Sequence, residues 1–160
     1  MKNAVLFLLV SFPLFSGELT INDPSWKLVG KALLEVTVFK VDVYNASYFK
    51  KANSELLTLS YLRDVEKKYS LQGWDAGFKH LEETKDIEIK EAIKWIRENT
   101  GDLKESETFS ILKHEGVTTF YKNKKAYATT KLAKVYELVL TPWIGDNAVD
   151  KSLKKGLLGI

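Results

Sequence analysis

At 160 residues, 45% hydrophobic and 28% charged, the chain has the length and composition of one folded domain rather than of a disordered segment. The formal charge is only +3, from 24 Lys+Arg against 21 Asp+Glu, and Arg63 and Arg97 are the only arginines. That argues against a nucleic-acid partner, which calls for a basic stripe with arginine at the base contacts. The lack of cysteine rules out disulfides, thiol catalysis, iron–sulfur clusters and cysteine zinc sites.

Residues 1–17, MKNAVLFLLVSFPLFSG, read as a secretory signal peptide: Lys2, an apolar run from Ala4 to Phe15, then the small residues Ser16 and Gly17. The run is too short for a spanning helix of about 20 residues, so no transmembrane segment is expected once the leader is cut. Export without cysteine points to a bacterial periplasmic or secreted protein, with residues 18–160 as its single domain.

Glu18–Asn22 and Trp26–Val29 read as short strands separated by the turn signal Asp23-Pro24. Gly30–Phe49 alternates like one long strand, but its phase flips. Leu34, Val36 and Val38 share one face, whereas the later apolar set is Phe39, Val41 and Val43. A β-bulge near Val38-Phe39 would keep both halves on one core and turn Lys40, Asp42 and Tyr44 away from it. Leu56–Val65 is a further strand with Leu57, Leu59 and Tyr61 on one face. Ser70 is placed to cap a helix bearing Leu71, Trp74, Phe78 and Leu81. A second helix carries Ile89, Ile93 and Ile96 and stops at Gly101. Glu107–Thr130 reads as a three-strand meander turning at Glu115-Gly116 and Asn123–Lys125. A third helix is defined by Leu132, Val135, Tyr136 and Val139 and closed by Pro142, and a last short helix follows Asp150. Hairpin-linked strands with grouped helices imply an α+β domain: an antiparallel sheet with helices layered on one face.

Strong catalytic motifs are missing. There is no HExxH, G-x-S-x-G or phosphate-binding glycine loop, and His80 and His114 lie far apart, so neither metal nor cofactor is expected. The aromatic and hydroxyl content of the strands and helices is more informative. Tyr44, Tyr61, Tyr69, Trp74 and Tyr121 combine an apolar body with one polar handle, which suits the wall of a pocket. Arg63 ends an apolar strand and reads either as a clamp for a ligand carboxylate or phenolate, or as an ion pair tying strand to helix.

The stretches GKALLEVTVFKVDVYNASYF, LTLSYLRDV, GVTTFYKNKKAYA and, most specifically, WIGDNAVDKSLKKGLLG resemble the chalcone isomerase-like family in its bacterial exported branch. The resemblance covers nearly the whole chain after the leader. It implies the open-faced β-sandwich, with a pocket between sheet and helices. It also implies one of two activities, since family members either close a chalcone to a flavanone or bind fatty acids without catalysis. The enzymes carry an arginine soon after the glycine of the first long strand, and Gly30–Tyr44 has none; Lys31 could supply charge but not the planar fork. The strand threonine of the enzymes falls near Val43. Tyr69 matches their helix tyrosine, but its asparagine partner seven residues on is Ala76.

The expectation is therefore a non-catalytic binder of a fatty acid or similar small amphipathic ligand, with Arg63 and the tyrosines at the head group. The rivals are an isomerase or intramolecular lyase of chalcone isomerase type using Tyr69 or Lys31, and an envelope interaction module without a small ligand.

Overall fold

The computed structural model describes residues 17–36 and 41–160; the leader up to Ser16 and the expected bulge at Val38-Phe39 lie outside them. Six strands form one antiparallel sheet in sequence order: β1 (Lys27–Val36), β2 (Val41–Lys51), β3 (Ser54–Tyr61), β4 (Thr108–His114), β5 (Val117–Lys122) and β6 (Lys125–Thr130). The helices α1 (Lys67–Phe78), α2 (Ile87–Glu98), α3 (Ala133–Leu138), α4 (Thr141–Ile144) and α5 (Lys151–Leu158) share a single core with one face of the sheet. This is the expected α+β open-faced arrangement.

The long strand expected over Gly30–Phe49 is instead two strands paired antiparallel, with Val36 opposite Val41. The phase flip marks the passage from one to the other. A bulge does exist, but at Val43. Leu34 pairs with Tyr44 and Glu35 with Asp42, leaving Val43 as the extra residue of β2. Its consequence corrects the expected orientation of Tyr44: Val41, Val43 and Tyr44 all turn toward the helices, and Tyr44 is buried there with Ala46 and Tyr48. The stretch Glu18–Asn22 is not a strand. It makes a single bridge from Glu18 to Lys125 and then crosses the outer face of the sheet, where Leu19, Ile21 and Trp26 cover Leu56, Phe49 and Leu112.

The helix starts follow local chemistry. The Asp86 carboxylate caps α2 by accepting from the N–H groups of Glu88 (2.9 Å) and Ile89 (3.4 Å), and Asp150 caps α5 by accepting from Leu153 N–H (2.7 Å). Ser70 is not the cap of α1. That helix begins a turn earlier, at Lys67, whose N–H donates to the Asp102 carboxylate at 2.6 Å. Pro142 does not simply close α3; it sits in the first turn of α4, where its missing N–H costs nothing.

One ion pair is half buried on the helix side. Lys113 Nζ donates to Glu55 Oε2 at 2.7 Å and lies over the Tyr136 ring, 4.6 Å from its centre, while the Tyr48 hydroxyl donates to Glu55 Oε1 at 2.6 Å. Burial alone would raise the Glu55 carboxyl, but the bonds from Lys113 and Tyr48 outweigh it and hold it below the ordinary carboxylate range. A depressed folded-state value means stability is present above the unfolded value and is lost as pH falls through the folded one. The urea midpoint is expected to drop across that acid window in the native protein and less steeply in Glu55→Gln. Parallel profiles for the two would contradict the linkage.

Candidate functional site

Between the sheet and α1, α2 and α4 lies a cleft of about 1490 Å³, larger than the few hundred to about 1,000 Å³ usual for small-ligand sites. Its floor is the end of the sheet where β2 and β3 meet. The bulged Val43 and Tyr44 stand beside Leu59 and Tyr61, and Leu34 of β1 and Phe109 of β4 extend the apolar surface on either side. Trp74 of α1 and Trp143 of α4 form the inner wall, edge to face with centroids 4.9 Å apart. The Trp143 Nε1–H donates to the Tyr44 hydroxyl oxygen at 2.9 Å, fixing the α4 tryptophan to the sheet. Burial pushes the Tyr44 hydroxyl up to about 12 and carries Tyr61 higher still, the neighbouring Tyr44 and Tyr127 adding to the rise. Both phenols are therefore neutral donors at any physiological pH.

The charged lining residues sit at the rim. Asp64 is engaged by Lys104 and by the Glu105 N–H, Asp102 by the Lys67 N–H, and Lys122 by Glu107 and the Asp102 carbonyl. Arg63 is exposed and has no hydrogen-bond or ion-pair partner among the described residues. Arg97 contrasts with it, paired to Asp75 in a separate groove of about 470 Å³ between α1 and α2. The ion pair considered for Arg63, tying strand to helix, does not form among the described residues. β3 ends at Tyr61, so Arg63 lies just past the strand, at the cleft mouth.

Of the residues singled out from the sequence, Tyr44, Tyr61, Arg63, Tyr69 and Trp74 line this cleft, with Tyr69 about half exposed at its rim. Tyr121 does not. Phe120 faces the helices, so the next residue of β5 must face the other way, and Tyr121 packs with Leu19 and Leu56 on the outer sheet face. Lys31, considered as an acid–base group, is also misplaced for that task. Ala32 and Leu34 turn toward the core, and Lys31, exposed between strand positions of the opposite phase, is not part of the cleft. Two further lining residues, Trp143 and Tyr127, belong to the aromatic content of the strands and helices but are not among those singled out for the site. Trp143 belongs to the distinctive tail stretch, which was the signal for it. Tyr127 reaches the cleft beside a register shift in the β5–β6 pair, and its hydroxyl donates to the Asn99 carbonyl at 3.0 Å. Among the described residues no group of three His, Asp or Glu side chains comes together to hold a metal ion.

A family model described as chalcone isomerase-like matches residues 15–159. The chain belongs to the chalcone isomerase-like family. No curated protein matches it. Among solved structures it is similar to a fatty-acid binding protein of Arabidopsis thaliana, at 14% identity and a TM-score of 0.65, over 84% of this chain and 87% of that one. At that identity the likeness shows the fold, and the six-stranded antiparallel sheet with helices on one face is shared.

Proposed function

We propose that this chalcone isomerase-like protein is a non-catalytic binder of a fatty acid or a similar small amphipathic ligand, held between sheet and helices. The observation that carries this reading is an apolar cleft large enough for a lipid chain, with the unengaged guanidinium of Arg63 at its mouth. Apolar walls shield the tail, and a free cation at the rim is placed to meet an anionic head group. The structurally similar Arabidopsis protein is described as binding fatty acids, an analogy that points the same way. Tyr44, Tyr61, Tyr69 and Trp74 complete the proposed site. We place it in the bacterial exported branch of the family and assign it to the periplasm or the secreted fraction, after loss of residues 1–17.

The test is lipid extraction and native mass spectrometry of protein purified from its own envelope, followed by calorimetric titration with octadecanoate. Arg63→Ala is expected to weaken octadecanoate binding by about 1.5–3 kcal/mol, the range of a charge-assisted hydrogen bond. Equal affinity in the two proteins, with the fold intact by circular dichroism, would remove Arg63 from the site. No bound lipid and no titratable binding would overturn the function itself, and chalcone turnover above the uncatalysed rate would favour the enzymatic rival.

A further inference from the structure

Tyr44 and Tyr61 are direct cross-strand partners of β2 and β3, with ring centroids 5.4 Å apart and both rings buried. Their hydroxyls face the same cleft with unequal commitments. The Tyr44 oxygen already accepts the Trp143 indole N–H, so what it has left to offer is its own proton. The Tyr61 hydroxyl has no hydrogen-bond partner among the described residues, and although the residue is only 7% exposed its oxygen is not itself buried, so it stays open to the cleft. No hydrogen bond joins the two. The cleft floor thus presents a pair of adjacent, unspent O–H donors in apolar surroundings.

Charge is arranged differently. The ionised lining side chains Arg63, Asp64, Glu98, Asp102 and Lys125 are all exposed, and Lys122 is half buried but already paired. An ionised group driven down to the tyrosines would lose water without meeting a cation, which is far more costly than burying a neutral oxygen that accepts hydrogen bonds. A carbonyl oxygen has two lone pairs and no proton, so it can accept from both phenols at once.

Resting on the reading of the cleft as a lipid site, we propose that the Tyr44–Tyr61 pair is a subsite for an uncharged carbonyl oxygen. The preferred ligand is then an oxo acid, lying with its carboxylate outward at Arg63 and a chain carbonyl held on the floor of the cleft. The plain fatty acid fills the same cleft and leaves the donor pair unsatisfied.

The experiment compares octadecanoate with a series of octadecanoates bearing one oxo group at successive chain positions, titrated calorimetrically into native protein and Tyr61→Phe. At least one oxo isomer is expected to bind native protein about tenfold tighter than octadecanoate, the gain of one to two neutral hydrogen bonds. That preference is expected to vanish in Tyr61→Phe. With the best isomer labelled at its carbonyl carbon, the bound carbonyl stretch in native protein is expected below its value in an apolar solvent, a readout independent of how the variant folds. No preference for any oxo isomer, a preference that survives Tyr61→Phe, or an unshifted carbonyl stretch would each overturn the subsite while leaving octadecanoate binding in place. If neither octadecanoate nor any oxo acid binds, the lipid-site reading falls and the subsite with it.

Discussion

Gly30→Ala is expected to destabilise the protein by about 3 kcal/mol, the upper part of the range for overpacking a tightly packed core. A Cβ at Gly30 would press into the main chain of α5, against the Gly156 carbonyl oxygen and within 2.6 Å of that of Leu157. These are backbone atoms, so no side chain can swing aside to make room. The contact is tight from both directions, since a Cβ at Gly156 would fall 2.8 Å from Ala32 Cβ. Leu153 and Leu157 reach the core only because α5 can lie this close to β1. Urea unfolding measures the effect, and a loss below about 0.5 kcal/mol, ordinary for a surface site, would show that helix and strand part without cost. Because β1 also carries Leu34 into the cleft, octadecanoate binding should weaken in the same variant.

Much of the architecture was legible because its signals are local. Alternation of Leu57, Leu59 and Tyr61 gave the inner face of β3, although the strand ends at Tyr61 and not at Val65, and the three-strand meander fell where its turn residues Gly116, Asn123 and Lys124 adopt positive φ. The last helix is expected to follow Asp150, and it does start there, with Asp150 as its cap. What failed was long-range. Period-two alternation cannot tell a bulge from a passage between paired strands, and only the pairing of Val36 with Val41 separates them. The cap of α1 comes from Asp102, thirty-five residues away from Lys67, beyond any local pattern.

The lining of the candidate cleft was legible only in part. Tyr61 was placed by the alternation of β3, whereas Tyr44 reaches the cleft only through a bulge that reverses its expected orientation, and Arg63 lies past the end of β3. Tyr121 looked equivalent to them as a residue type. Its phase relative to Phe120 sends it to the other face, so residue type without phase could not place it. Likewise nothing in the sequence distinguishes the engaged Arg97 from the unengaged Arg63; the difference lies in whether an acid from another element reaches the guanidinium.

Phe120→Ala is expected to cost about 4 kcal/mol, the range for removing a buried aromatic ring whose cavity only partly collapses. Phe120 is fully buried in the middle of β5 and sits among four rings, with centroids at 5.0 Å to Trp95, 5.2 Å to Phe109, 6.3 Å to Tyr127 and 6.4 Å to Trp74. Those neighbours are held by β4, β6, α1 and α2, so none can close the void without moving an element of the fold. Three of the four, Trp74, Phe109 and Tyr127, also line the cleft, although Phe120 does not. The truncation should therefore weaken octadecanoate binding as well as lower the urea midpoint. Phe120→Leu, which keeps much of the volume, is expected to lose roughly half as much stability. A Phe120→Ala protein within about 1 kcal/mol of native stability would mean that the surrounding rings repack freely. In that case the cleft wall they form would not be the rigid surface that selective ligand binding requires.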